Sequence, residues 1–93
     1  MARGDRLALG LDFGTESVRA LLVDLRGNER GSAVAKYRSG QITEALPTTG
    51  QSLPAQFALQ DPADWIDASA QAVRQALSAA RADAGDVIGI GVD

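Results

Sequence analysis

Apolar residues alternate with small or polar residues in three short stretches near the start of the chain, and a period of two predicts β-strands. The stretches cover residues 7–13, 18–25 and 31–38, and short polar turns separate them. The alternation is weakest in the third stretch, which indicates an edge or half-exposed strand. Together the three stretches predict an antiparallel meander.

A helical period follows later in the chain, over about residues 62–82. Apolar positions recur there at intervals of three and four, as one buried face of a helix requires. Those positions are Ile66, Ala70, Val73, Leu77 and Ala80. Asp61 is suited to be the N-cap and Pro62 to be the first helical residue, where a missing N–H costs nothing. Gly85 is the expected C-terminal signal. We expect Trp65 to pack the helix against the sheet, with direct ligand contact as the alternative.

A nearly continuous apolar run at residues 87–92 predicts a last strand that is covered on both faces. Because strand–helix–strand units cross over in the right-handed sense, this strand is expected to lie parallel to its partner. The predicted element order is therefore β-β-β-α-β. Residues 39–60 show no period, which predicts a long loop that is either functional or poorly ordered. Residues 1–6 are interpreted as a flexible leader.

Composition removes several kinds of chemistry. The chain has 93 residues and a net charge of −3, and it contains neither cysteine nor histidine. A disulfide framework, a thiolate nucleophile, a Ser–His pair and the usual transition-metal ligands are therefore excluded. The absence of a basic cluster argues against nucleic acid as a partner. No apolar run approaches the roughly 20 residues that span a membrane, and no signal-peptide core is present, so we expect a cytoplasmic protein.

The turn between the first two strands carries the candidate chemistry. Asp12 falls where the first strand ends, so its carboxylate is expected to reach an open cleft. Gly14 lacks a Cβ, so it can adopt a positive φ and let the backbone approach a ligand. Thr15 and Ser17 offer hydroxyl and N–H donors suited to phosphate oxygens. Since a bare carboxylate repels phosphate, Asp12 is interpreted as a partner of hydrated Mg²⁺.

Residues 12–19, Asp-Phe-Gly-Thr-Glu-Ser-Val-Arg, resemble the first phosphate motif of the FGGY carbohydrate kinases. The hydroxyl and guanidinium at Ser17 and Arg19 resemble the sugar-kinase version of the motif specifically, rather than a plain surface hairpin with glycine in its turn. The family has an α/β, actin/hexokinase-like (ribonuclease H-like) ATPase fold. The resemblance implies that residues 7–93 form the N-terminal part of such a domain, with the last strand beside the first.

The resemblance also implies roles for residues of the hairpin. The residues implied to lie at the ATP phosphates are Gly14, Thr15, Ser17 and Arg19. Asp12 is implied to hold Mg²⁺ through water. Glu16 stands where relatives often carry a hydroxyl residue, which argues against phosphate binding by its side chain. The family's catalytic aspartate, which takes the proton from the sugar hydroxyl, belongs to a later motif and is expected beyond Asp93.

Residues 57–65, Phe-Ala-Leu-Gln-Asp-Pro-Ala-Asp-Trp, and the strand at 89–93 resemble the ribulokinase branch of this family. There the first segment lies along the sugar-side wall of the cleft. The resemblance implies that the parent protein phosphorylates an L-ribulose-type ketopentose with MgATP, in carbohydrate metabolism such as arabinose catabolism. Residues 1–93 alone are expected to be inactive. Xylulose- and glycerol-type kinases share the hairpin and stay open as alternatives.

Two further classes of function also stay open. A non-enzymatic or chaperone-like actin-fold ATPase shares the Asp-x-Gly-Thr turn, although residues 60–65 argue against it. The other class is a stand-alone binding module without chemistry. Apolar surface on the helix and last strand, if left uncovered, favours self-association, so a homo-oligomer is among the expected states.

Overall fold

The computed structural model of the chain describes residues 5–93, and residues 1–4 of the predicted leader lie outside the described part. Its elements are β1 (Leu7–Phe13), β2 (Ser17–Asp24), β3 (Glu29–Lys36), α1 (Pro62–Ala80), a 3₁₀ turn (Ala84–Asp86) and β4 (Val87–Val92). The predicted β-β-β-α-β order and the α/β class are confirmed. Several bounds differ from expectation by one or two residues: β2 begins and ends one residue earlier than 18–25, β3 begins and ends two residues earlier than 31–38, and α1 ends two residues before position 82.

The four strands form one sheet in the order β3-β2-β1-β4. β2 is antiparallel to both β1 and β3, whereas β4 is parallel to β1. The crossover through α1 therefore places the last strand beside the first, and β3 lies at an edge as predicted. β1 is central, with β2 on one side and β4 on the other. Its carboxyl end therefore lies beside the carboxyl end of β4 and leads into the turn to β2.

Small residues allow α1 to lie very close to β3. Four alanines at intervals of four residues are buried in this contact. They are Ala68, Ala72, Ala76 and Ala80. A Cβ atom on Gly31 of β3 would lie 2.6 Å from the carbonyl oxygen of Ala76 and 2.9 Å from the backbone nitrogen of Ala80. The helix backbone thus rests almost directly on the sheet, and both elements need small residues there.

The predicted buried face of α1 is wrong, apart from Ala80. Ile66 is 71% exposed, Ala70 is exposed, and Val73 and Leu77 are only half-buried. The physical reason is the closeness of the contact, because larger side chains at its centre would hold the helix away from Gly31. The larger apolar residues of α1 therefore lie beside the contact rather than within it.

β4 is not covered on both faces, contrary to the sequence-based expectation. Its register pairs Ile90 with Leu9 and Val92 with Leu11, so these side chains share the sheet face on which α1 packs. However, α1 packs mainly over β2 and β3. Ile90 and Val92 consequently remain 64% and 69% exposed, and an apolar strip beside the helix is uncovered in the described part of the chain.

The two ends of α1 differ in how well they were predicted. At the start, the Asp61 side chain accepts a hydrogen bond of 3.0 Å from the Ala63 N–H, and Pro62 is the first helical residue, as predicted. At the other end the left-handed cap is Arg81, whereas Gly85 lies in the 3₁₀ turn. No helix within residues 5–93 combines the length and apolar character needed to cross a membrane.

The long segment before α1 forms an arm that is held by its own backbone. Ile42 and Leu59 exchange two backbone hydrogen bonds of 2.7 and 2.8 Å, and a second bridge joins Ala45 to Ser52. The chain therefore leaves the sheet after β3 and returns to the start of α1 along a paired path. The molecule is elongated, with extents of 52 × 19 × 16 Å.

The close approach of α1 to β3 predicts the effect of adding one methyl group. Gly31→Ala is expected to lower the free energy of unfolding by about 1–3 kcal/mol, because backbone atoms rather than flexible side chains meet the new Cβ. Urea denaturation followed by circular dichroism measures this change. Gly85→Ala is the matched control, since nothing lies within 4 Å of its added Cβ, and a change within about 0.5 kcal/mol is expected. Equal stabilities of the two variants would contradict the packing described here.

Candidate functional site

The carboxyl ends of β1 and β4 meet beside the turn at residues 14–16. The Phe13 N–H donates to the Asp93 carbonyl at 2.8 Å, and the Asp93 N–H donates to the Leu11 carbonyl at 2.8 Å. Parallel pairing therefore continues up to the turn. The carboxyl ends of neighbouring parallel strands are a common place for ligands in α/β folds.

Asp12 and Arg19 lie directly opposite each other in the ladder between β1 and β2. Both side chains are exposed, and no ion pair joins them. Within residues 5–93 the ion pairs are those of Arg30 with Asp5 and Asp24, both at 3.1 Å. A carboxylate and a guanidinium thus stand side by side, and each is available to a ligand. This donor set fits a hydrated divalent cation beside a phosphate.

Four of the five predicted site residues border one small depression of about 190 Å³. They are Asp12, Gly14, Ser17 and Arg19, and Val34 of β3 completes the rim. Thr15 lies elsewhere, on a larger and mostly apolar cavity of about 680 Å³ that Gly14 also borders. The structure therefore gathers the charged and serine side chains on one side of the turn and separates Thr15 from them.

Gly14 does not adopt the positive φ that glycine can take. The described glycines with a positive φ are Gly27, Gly40 and Gly50. Glycine is favoured at position 14 by a close contact instead, because a Cβ there would lie 3.2 Å from the Ser17 carbonyl oxygen. The Gly14 N–H already donates to that oxygen at 2.8 Å, so it is engaged in closing the turn and is not offered to a ligand.

Two residues that the sequence did not mark as site residues hold this turn. The Tyr37 hydroxyl donates to the Gly14 carbonyl at 2.9 Å, and the Tyr37 N–H donates to the Glu16 carbonyl at 3.0 Å. The Gln60 side-chain amide donates to the Thr15 carbonyl at 3.4 Å. Tyr37 directly follows β3 and continues its alternation on the face that carries Ala33 and Ala35, and a buried tyrosine hydroxyl usually needs a partner. No local pattern indicates the contact of Gln60.

Trp65 lies at the rim of the larger cavity and not in the core. Its side chain is 39% exposed, and its indole N–H donates to the Gln60 side-chain oxygen at 2.7 Å. The cavity is also lined by Phe13, Ile66 and Val92. The expectation that Trp65 packs the helix against the sheet is therefore wrong. Trp65 is partly exposed, and its indole is held by Gln60, which also contacts the turn.

Burial and charge act together on Tyr37. The side chain is 6% exposed, and this burial is the larger cause that raises the pKa of its hydroxyl above the ordinary value of 10.0. The negative charge of Asp12 raises the pKa further. Tyr37 is thus held in the protonated form, which is the form that can donate to Gly14.

Comparison with known proteins places these features in a family. No protein-family model matches the chain. It is 48% identical over 90 residues to a ribulokinase from Mycolicibacterium smegmatis and 44% identical over 90 residues to one from Geobacillus thermodenitrificans. These alignments cover 95% and 97% of the chain and 16% of each relative. The chain therefore spans about one sixth of the length of the curated relatives it matches.

A solved structure supports the same relationship. The crystal structure of a xyloylose (xylulose) kinase from Brucella ovis superposes with a TM-score of 0.68 at 31% identity, over 94% of this chain and 16% of that one. Sequence and fold together make the chain a relative of the sugar kinases. Within that class its sequence is similar to the ribulokinases, as residues 57–65 and the strand at 89–93 led us to expect.

The environment of Tyr37 predicts its titration. Because Tyr37 is the sole tyrosine, the ultraviolet absorbance of tyrosinate reports on it alone. The midpoint is expected above 10.0 in the folded chain and at the ordinary value in urea. Since the folded state holds this proton more tightly, the associated stability is complete below pH 10 and is lost as the pH rises through the folded midpoint.

Asp12→Asn is the control variant for this titration. Its midpoint is expected to fall below that of the wild type and to stay above the unfolded value, since burial is the larger of the two causes. Equal midpoints in the folded and unfolded chains would contradict the described environment of Tyr37.

Proposed function

We propose that the protein to which these residues belong phosphorylates a ketopentose of the L-ribulose type with ATP. The observation that carries the proposal is the 44–48% identity to ribulokinases over nearly the whole chain, a span that includes residues 12–19. The exposed Asp12 and Arg19 beside an open turn support it, because they provide groups suited to a metal and to phosphate.

Phosphoryl transfer depends mostly on positioning and on electrostatic stabilisation of charge. In this proposal Arg19 and the Ser17 hydroxyl bind phosphate oxygens, as do the N–H groups of Thr15 and Glu16. Asp12 holds a hydrated Mg²⁺ through water. When bound, the cation neutralises charge on the phosphates. None of these residues is a base for the sugar hydroxyl, and the catalytic aspartate remains expected beyond Asp93.

A xylulose-type sugar kinase is the second candidate. It is favoured by the superposition on the Brucella ovis enzyme, which is 31% identical to this chain. The higher identity to ribulokinases favours ribulose over xylulose. The two candidates share the ATP site and differ only in the sugar.

The proposal extends to the setting of the protein. We infer a cytoplasmic location, since ATP and a small sugar are the substrates, and no nucleic-acid partner, since the net charge is −3. The exposed apolar residues of β4 support self-association as a further expectation, and a homo-oligomer remains a prediction.

Substrate preference tests the proposed function in the intact parent protein. With MgATP, kcat/KM is expected to be highest for L-ribulose and lower for D-xylulose and glycerol. Asp12→Asn is expected to lower activity about 10–100-fold, as losses of groups that orient a metal through its outer shell do. Asp67→Asn, an exposed acid on α1 that borders none of the described cavities at the turn, is the matched control and is expected to be unchanged. A preference for xylulose would contradict the ribulose assignment, and full activity of Asp12→Asn would contradict the metal role.

Residues 1–93 alone are expected to transfer no phosphate at a measurable rate. One hairpin can hold one end of a triphosphate, but alignment of the sugar hydroxyl requires groups that lie outside these residues. A coupled assay of ADP release with ribulose and MgATP measures this. Turnover by the purified 93-residue chain that survives Asp12→Asn would show that the activity does not come from the proposed site.

A further inference from the structure

In the turn at residues 14–16 the carbonyl groups are hydrogen-bonded, whereas two of the N–H groups are not bonded to any of the described residues. Its three successive carbonyl groups all accept from residues that are distant in sequence, two from Tyr37 and one from Gln60. The N–H groups of Thr15 and Glu16, in contrast, donate to no group among residues 5–93. The turn therefore has its acceptors engaged and two donors free.

The geometry of the peptide group fixes the direction in which the two free N–H groups point. Each peptide unit is planar and trans, so the carbonyl of one residue and the N–H of the next point in opposite directions. No cis peptide bond occurs in the described chain. The bond from the Tyr37 hydroxyl to the Gly14 carbonyl therefore directs the Thr15 N–H away from Tyr37. The bond from Gln60 to the Thr15 carbonyl does the same for the Glu16 N–H.

We propose that Tyr37 and Gln60 are positioning residues that fix the Thr15 and Glu16 N–H groups for an anionic phosphate. Carbonyl oxygens carry partial negative charge and oppose an anion, whereas successive N–H groups that point the same way form an anion-binding concavity. Tyr37 and Gln60 each hold one carbonyl toward a protein donor and so direct the N–H that follows it away from that donor. The proposal rests on the proposed function for the identity of the anion, and not for the geometry.

Gln60 is itself held in one orientation. The indole N–H of Trp65 can only donate, so the side-chain oxygen of Gln60 must face Trp65 and its amide nitrogen must face Thr15. The bond between Trp65 and Gln60 is short, at 2.7 Å, whereas the bond from Gln60 to Thr15 is longer, at 3.4 Å. Gln60 also directly precedes Asp61, the N-cap of α1. Its backbone is thus fixed by the start of the helix.

Tyr37 is anchored to the same helix start. Two residues after it, the Ser39 N–H donates to the Asp64 carboxylate at 2.9 Å, and Asp64 is a buried residue in the first turn of α1. The contacts of Tyr37 and of Gln60 therefore both trace back to the first turn of α1. This shared anchor explains how two residues 23 positions apart can act on three consecutive peptide groups.

Nuclear magnetic resonance of the isotopically labelled chain tests the orientation without any ligand. Tyr37→Phe removes one hydroxyl and is expected to shift the amide signal of Thr15 most. Gln60→Leu is expected to shift the amide signal of Glu16 most, together with the indole signal of Trp65, the sole tryptophan. Leu22→Val is the matched control, because it perturbs a fully buried core position away from the turn. If neither variant shifts its assigned amide more than the control does, the orientation is overturned.

Titration of the same samples with MgATP, and with magnesium tripolyphosphate, tests the positioning role. In the wild type both amide signals are expected to shift on binding. Each variant is expected to bind about 3–10-fold more weakly, the effect of losing one hydrogen bond, and the control is expected to bind as the wild type does.

The outcomes separate this proposal from the proposed function. Equal binding by Tyr37→Phe, Gln60→Leu and the wild type overturns the positioning role and leaves the phosphate site standing. A wild-type chain that binds neither probe overturns phosphate binding at this turn, and with it the positioning role. Binding of tripolyphosphate equal to that of ATP shows that the turn recognises the phosphates alone, as proposed.

Discussion

The two hydrogen bonds from Tyr37 to the turn at residues 14–16 are the contacts on which the candidate site depends. One comes from the backbone of Tyr37 and the other from its hydroxyl, so one residue at the end of β3 fixes both sides of the turn. Asp12 and Arg19 face each other two residues before and three residues after this turn in the same hairpin. The turn beside them is therefore held by Tyr37, directly after β3, and a bound phosphate is not required to hold it.

The close packing of α1 on the sheet determines where the first turn of α1 and the apolar cavity lie relative to this turn. Because Gly31 and the buried alanines bring the helix over β2 and β3, the sheet face beside it at β4 stays open. The first turn of α1 then supplies Asp64 and Trp65, which anchor the residues that hold the turn. An apolar cavity lies between Trp65 and the end of β4. The features that fix the fold thus also shape the site.

The parts that could be predicted from the sequence are those encoded locally. A period of two marks the strands, and the hairpin keeps Asp12 and Arg19 close because only six residues separate them in the chain. The contact of Gln60 with Thr15 spans 45 positions and has no local signal. The buried face of α1 could not be predicted either, because spacing alone does not distinguish a face of large apolar residues from a face of alanines. The short distance between the backbones of α1 and β3 requires the face of alanines.

The most direct test of the central claim is a crystal structure of the parent protein with a non-hydrolysable ATP analogue, Mg²⁺ and ribulose. Phosphate oxygens are expected within about 3 Å of the Thr15 and Glu16 nitrogens. Arg19 is expected to contact the phosphates, and Asp12 a water bound to the metal. Phosphates bound elsewhere, with the Thr15 and Glu16 N–H groups facing protein or solvent, would contradict the proposed site.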